Sequence, residues 1–208
     1  MELKELEVLG DERIGQGGFL VLRRLRLRLV GADGTRTNEG MWDFVERPMG
    51  LDAVVVALWR TAPQGPQVLL RHGLRVPLQF GRPEPRPLLG PELVAGILEP
   101  GDDLHLRAAA EAMEEAGLRI DPRGVQKLGA PLFPSPGMCA ELFHFVCADA
   151  GDQEATPPSG DGSPFEEGAR LEWASLDDAL RRCANGEIQD MKTEIGLRRL
   201  REKLTPAG

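Results

Sequence analysis

Three carboxylates fall within five residues at Glu111, Glu114 and Glu115, in the stretch EAMEEAGL. On a helix, Glu111 and Glu115 are four apart and project from one face, with Glu114 beside them. Like charges so placed repel unless something positive is shared between them. Hard divalent cations such as Mg²⁺ take oxygen ligands and bind jointly with substrate phosphates, so the matching chemistry is metal-assisted attack at phosphorus. A solvated acidic helix face is the alternative, and these three residues alone leave both open.

The rest of the composition narrows the classes. The chain has 208 residues, 41% of them hydrophobic, enough to bury a core. A formal net charge of −8 argues against a nucleic-acid binder, which needs clustered Lys and Arg. An acidic protein still binds phosphates when a divalent metal stands between the two negative partners. His72, His105 and His144 have no metal-ligand spacing and read as structural or exposed. Cys139, Cys147 and Cys183 form no C-x-x-C pair and read as reduced, buried thiols. The N-terminal MELKELEVLGDER has no apolar h-region, and no run of about 18 apolar residues exists, so a cytoplasmic protein without a membrane partner is expected.

Several elements must position the carboxylates. Leu104 to Ala116 reads as a helix, capped by Asp102 or Asp103 and ended by Gly117. Ala53 to Trp59 and Gln67 to Leu70 read as a buried hairpin, and Val125 to Leu132, Glu141 to Cys147 and Leu171 to Ala174 as further strands. Leu176 to Ala184 and Thr193 to Lys203 carry the helical period, the second with apolar Ile195, Leu197, Leu200 and Leu204. In Phe19 to Val30, leucine alternates with arginine as in a half-buried strand; its basic face fits solvent or an anionic ligand. A second strand follows at Met41 to Glu46, and a soft boundary lies between Arg47 and Asp52. The expected domains are therefore 1–49 and 50–208. GRPEPRP, within the Gly81 to Pro91 insertion, cannot be helix or central strand; a substrate lid and an inert excursion both remain open for it. Asp149 to Gly168 reads as an acidic loop.

The stretch Gly96 to Leu118, GILEPGDDLHLRAAAEAMEEAGL, resembles the Nudix box, with Gly96, Glu111, Glu114, Glu115, Gly117 and Leu118 in register. Asp102 stands where the early glutamate is expected, and Ala110 replaces the arginine. Glu92-Leu93-Val94-Ala95-Gly96 looks like the E-L-P-A-G entry of the ADP-ribose and nucleoside-diphosphate-sugar pyrophosphatase branch. Val68 to Pro77 resembles that branch's strand ending in Gln-Tyr-Arg, with Arg75 at the arginine and Gly73 and Leu74 at the other two places. Ser135-Pro136-Gly137 with downstream Glu141, and the run from Asn185 to Thr193, resemble its S-P-G loop and G-E-I-x-D-x-K-T ending.

That resemblance implies an α+β fold: a Nudix α/β/α sandwich with a mixed sheet, preceded by a small antiparallel β domain that commonly makes a homodimer. It implies Mg²⁺, with Mn²⁺ as a substitute, held by Glu111, Glu114, Glu115 and the Ala95 carbonyl, and Glu141 as the base, so that Glu111, Glu115 and Glu141 carry catalysis. Arg75, Arg47, Phe19 and Leu98 become the substrate-binding positions: Arg75 for phosphate or ribose, Arg47 across a dimer, Phe19 to stack on the base. The expected reaction is hydrolysis of ADP-ribose to AMP and ribose 5-phosphate. The alternatives are another nucleoside diphosphate sugar, such as GDP-mannose or UDP-glucose, or a sensor that binds without cleaving. Arg107, one turn before Ala110, either joins Asp102 to replace the missing glutamate–arginine pair or is a solvated surface residue.

Overall fold

The computed structural model describes residues 2–15, 20–47, 51–81, 83–84, 86–156 and 168–205. The chain divides into two compact units, Met1–Leu51 with Phe133–Leu142, and Asp52–Leu132 with Phe143–Gly208. The segment 133–142, which the sequence reading kept with the catalytic part, thus joins the N-terminal unit.

The first unit is a three-stranded antiparallel sheet, β1 (Leu3–Ile14), β2 (Val21–Gly31) and β3 (Gly40–Glu46), with β2 central. β1 has no counterpart in the sequence reading, because its acidic residues hide the alternation and its register shifts between Val8 and Gly10. Leu6 faces Leu29, Val8 faces Leu27, and Leu25 faces Trp42, so these six share one apolar face. On the other face Arg24 pairs with Asp43 at 2.6 Å and Arg28 with Glu39 at 2.8 Å. The basic face of β2 is therefore answered by carboxylates of the neighbouring strands. Phe19 lies outside the described residues.

The second unit is a mixed sheet between helices. β4 (Asp52–Ala62) and β5 (Gly65–Leu74) form the expected hairpin. β6 (Leu89–Glu92) pairs with β5, and β7 (Val94–Leu98) pairs antiparallel with β4. β8 (Gln126–Lys127), β9 (Phe143–Asp149) and β10 (Arg170–Ser175) complete it, in the order β10-β5-β4-β9-β8, with β4 and β9 parallel. The run Val125 to Leu132 is a strand only at Gln126–Lys127, with one further bridge from Leu132 to Phe143. A short helix α1 (Val76–Phe80) follows β5, where Pro77 costs nothing because a first-turn N–H is unpaired anyway.

Alternation on β4 builds two cores. Val54, Val56 and Leu58 pack beneath α2 (Leu104–Ala116), whose Ala108, Ala112 and Ala116 let it lie close to the sheet. Val55 and Ala57 face the other way, onto α3 (Leu176–Ala184) and α4 (Met191–Leu204) through Leu176, Ala179, Leu197 and Leu200. A strand buried on both faces reads as a continuous apolar run, as AVVVALW does. Among the described residues no helix is long and apolar enough to cross a membrane.

Candidate active site

The carboxylate face of α2 lies over β7. Asp103, not Asp102, caps the helix, its side chain accepting from the amides of His105 and Leu106; Asp102 accepts from the Glu99 amide at 2.9 Å. Glu111 is 4% exposed and rests on the Gly96 backbone so closely that a Cβ there would sit 1.5 Å from its Oε1. A side chain at that position would displace the Glu111 carboxylate from where it rests. Glu115 Oε2 accepts from the Ala95 amide at 3.1 Å, while Glu115 Oε1 stands 3.5 Å from Arg71 Nε. Glu114 is exposed.

Arg107 occupies the place of the missing arginine. Its Nε donates to the Ile97 carbonyl at 3.0 Å, and its Nη2 reaches both Glu111 Oε1 and, at 3.4 Å, Glu114 Oε2. Positions 107, 111 and 114 are one helical stripe, so an arginine one turn early still spans the box carboxylates. The expected Asp102–Arg107 pair does not form, because the loop amide of Glu99 takes the Asp102 carboxylate instead.

Burial pushes the Glu111 carboxyl up to about 7, opposed by Arg107 and reinforced by Glu115 and Glu114. Burial also raises Glu115, opposed chiefly by Arg71 and the Ala95 amide. Among the described residues no three metal-ligating side chains converge as placed, since each box carboxylate leans on a guanidinium or an amide. The donor set nonetheless fits a hard divalent cation: three carboxylates share two guanidiniums, and Glu111, the most buried, rests where Gly96 has no side chain.

Next to Glu115 is a charged cluster that sequence reasoning did not resolve. Glu92 is 3% exposed; its Oε2 accepts from Lys192 Nζ at 2.6 Å and Arg75 Nε at 3.0 Å, and Arg71 Nη1 lies 3.8 Å from its Oε1. Asp190 binds Lys192 at 2.7 Å and caps α4 at Thr193, whose hydroxyl accepts from the Leu93 amide at 2.8 Å. Three of the separated segments that carry the family resemblance, those of Arg75, Glu92 and Lys192, therefore meet at one point. Gly73, in the place of the family's glutamine, makes room: a Cβ there would lie 2.5 Å from Arg71 Nη1. The available signal was a charged residue in each of three motifs, but nothing in one sequence says they touch.

The remaining sites distribute plainly. Leu98 is 9% exposed at the end of β7, opposite Asp52. Arg75 is half-exposed beyond its bond to Glu92. In the first unit Arg47 Nη2 and Glu141 Oε1 form an ion pair at 2.8 Å, both side chains largely buried. Glu141 is therefore no solvated loop residue. His72 and His144 bond Glu172 and Asp52 at 2.7 and 3.1 Å. Cys147 and Cys183 are buried thiols raised by burial to about 11, whereas Cys139 is only partly buried.

No family model matches the chain. A GDP-mannose pyrophosphatase of Klebsiella pneumoniae is 31% identical over 195 residues, covering 94% of this chain and 91% of that protein. A CMP-5'-(N-acetyl-N-hydroxy-3-aminopropyl)phosphonate hydrolase of Streptomyces rubellomurinus is 33% identical over 110 residues, about half of each chain. The crystal structure of an ADP compounds hydrolase superposes with a TM-score of 0.71 at 17% identity, over 98% of this chain and 96% of that one, which shows the fold. With Glu111 resting on Gly96 and a pyrophosphatase 31% identical over nearly its full length, the chain belongs to the Nudix hydrolases, in the nucleoside-diphosphate-sugar pyrophosphatase branch.

Proposed function

We propose that the protein uses Mg²⁺ to hydrolyse the diphosphate bond of a nucleoside diphosphate sugar. The observation that carries this is the buried Glu111 carboxyl over Gly96, flanked by Glu115 and Glu114 on one helix face. Glu111, Glu114, Glu115 and the Ala95 carbonyl are the proposed ligands, with Mn²⁺ as a substitute. When bound, the cation offsets the diphosphate charge and acidifies the attacking water. Arg71 and the Ala95 amide hold Glu115, and Arg107 holds Glu111 and Glu114, so the ligands are oriented beforehand. Arg75 offers its exposed edge to phosphate. Glu141 is the proposed base, and Arg47 enters as the residue that orients it rather than as a substrate contact across a dimer. Leu98, being buried, would contribute shape only; Phe19 stays the aromatic proposed to stack on the base.

For the substrate, the Klebsiella relative's name puts GDP-mannose ahead of ADP-ribose, the first expectation from sequence. Assaying GDP-mannose, ADP-ribose and UDP-glucose with and without Mg²⁺ tests both levels. The expected result is Mg²⁺-dependent release of a nucleoside monophosphate and a sugar phosphate, with GDP-mannose first. No release from any of them would overturn the hydrolase reading.

A homodimer is proposed as well. The apolar face of the three-stranded sheet leaves Leu6, Val8 and Trp42 60%, 56% and 56% exposed, a group of large apolar side chains on one sheet face of the kind that marks an interaction surface. Sedimentation should give a dimer that Leu6→Glu with Val8→Glu converts to monomer; a monomeric wild type would remove it.

A further inference from the structure

Arg71 stands between two largely buried carboxylates and is close to neither. Its Nε lies 3.5 Å from Glu115 Oε1 and its Nη1 3.8 Å from Glu92 Oε1, both longer than an ordinary hydrogen bond. The two oxygens of Glu92 are unequal. Oε2 takes Lys192 and Arg75, whereas Oε1 is buried and accepts no hydrogen bond among the described residues. A buried acceptor left so bears its desolvation cost without return. Arg71 and Glu92 are partners across β5 and β6, so both project to the α2 side of the sheet. Gly73, two residues further along β5, shares that face. A Cβ there would lie 2.5 Å from Arg71 Nη1 and 2.8 Å from Glu92 Oε1. Gly73 is not among the glycines with a left-handed φ, so what it supplies is space beside these two atoms.

The guanidinium offers Glu115 a positive charge, as a divalent cation also would. Two cations on one carboxylate repel each other, and more strongly where water is kept out. A guanidinium pushed off Glu115 needs another carboxylate, since a buried charge without a partner is costly. Glu92 Oε1 is that carboxylate: it is within reach and has no donor of its own. We propose that Arg71 is a place-holder for the metal, resting beside Glu115 until a divalent cation takes that ligand, then moving onto Glu92 Oε1. A shift on the order of 1 Å would turn the Glu92 contact into a normal hydrogen bond. The inference rests on the reading of Glu115 as a metal ligand. It makes Glu92 and Arg71 positioning residues, and it gives Gly73 a task, keeping open the space in which Nη1 and Oε1 meet.

Mg²⁺ titrated into the full chain without substrate reads this directly. Calorimetry gives the affinity, and the NMR signal of the Arg71 Nε–H, assigned by its loss in Arg71→Gln, reports the guanidinium. In wild type that signal should move with the same midpoint as Mg²⁺ binding. Glu92→Gln should weaken Mg²⁺ about tenfold, but by less than about twofold in an Arg71→Gln background, where no guanidinium has to be received. Plain attraction between Glu92 and the cation would act equally in both backgrounds. Arg71→Gln alone should bind Mg²⁺ at least as tightly as wild type, whereas losing a residue that only orients Glu115 would weaken it. Gly73→Ala keeps every charge and serves should Glu92→Gln fail to fold. It should weaken Mg²⁺ about threefold or more and leave the Arg71 signal nearly still. Equal Glu92→Gln effects in both backgrounds, or an Arg71 signal that stays put while Mg²⁺ binds, would overturn the place-holder and leave Glu115 a ligand. No Mg²⁺ binding by wild type would overturn the metal reading itself, and this inference with it.

Discussion

Two regions of this molecule crowd arginines against carboxylates, and they differ in what surrounds the charges. In the three-stranded sheet, Arg24 and Asp43 meet at 2.6 Å with both side chains 39% exposed, and the arginines of β2 find acids on β1 or β3. On α2, Glu111 is 5% exposed at its side chain and shares Arg107 with Glu114. Water screens the first set, so the pairs contribute little, and Asp11 and Asp43 are lowered by the hydrogen bonds of Arg23 and Arg24. In the second, water is kept from Glu111, two carboxylates share one guanidinium, and the Glu111 proton is held to about 7. A charge cluster points to chemistry where burial leaves one sign in excess, and the sheet, though richer in arginine, has no such excess.

If that contrast is right, substitutions at buried carboxylates, Glu141 of the first unit included, should act on turnover. Glu141→Gln should cut kcat by about 10²–10⁴-fold with little change in substrate Kd, the range for loss of a general base. An unchanged kcat and pH–rate profile would assign the base elsewhere. Glu115→Gln should lower kcat at least about a hundredfold, with a melting temperature no lower than wild type in metal-free buffer, since the change removes a charge disfavoured by burial. Mg²⁺ should raise the melting temperature of wild type more than that of the variant through linkage. Activity within about threefold of wild type would take Glu115 out of the metal site.

Arg107 sharpens the comparison, because it is the cation that the buried side depends on. Arg107→Ala leaves Glu111 buried without its partner, at a cost of roughly 1.5–3 kcal/mol, and should weaken the Mg²⁺-induced melting shift. A double-mutant cycle separates its partners. Coupling with Glu111→Gln should exceed about 1 kcal/mol, whereas coupling with Asp102→Ala should fall below about 0.5, the limit for independent sites. The reverse order would restore the pairing that the spacing alone had indicated.

The raised Glu111 carboxyl has a signed consequence for the metal-free protein. Its ordinary value is 4.5 and its folded value about 7, so between those pH values the folded state keeps a proton that the unfolded state has lost. Stability contributed at this group is present below about 4.5, falls as pH rises through the window and levels off above about 7, by a total of order 1–3 kcal/mol. Urea unfolding at pH 5 and pH 8, wild type against Glu111→Gln, reads the difference. A variant as steeply pH-dependent as wild type across that window would place the effect elsewhere.

What sequence made legible follows the same division. The α2 boundaries, the β4–β5 hairpin, α3 and α4 were readable because apolar period, caps and turn residues all act locally. The box carboxylates were readable because one helix presents them. Arg107 was only half readable: its helix stripe is a local fact, but that it binds Ile97 O and Glu111 while Asp102 turns to the Glu99 amide depends on how the loop folds back. The Glu92–Arg71–Lys192 cluster was out of reach, joining residues 100 apart. The strand at Leu3–Ile14 was missed because its hydrophobic alternation is broken by a bulge and by acids that serve β2.

The smallest effect is expected at the sheet. Arg24→Ala removes an ion pair whose two ends are more than a third exposed, so little desolvation was overcome to form it and little is lost on breaking it. The melting temperature should move by no more than about 2 °C, and kcat should stay at the wild-type value. Raising the salt concentration should erase even that shift, because exposed pairs are screened within a Debye length of roughly 10 Å at 0.1 M. The Arg107–Glu111 pair, shielded by Gly96 and β7, should keep most of its coupling under the same salt. Should Arg24→Ala cost as much as Arg107→Ala, or both respond equally to salt, burial would not be what distinguishes the two regions. The excess of carboxylates on α2 would then lose its claim as the marker of the active site.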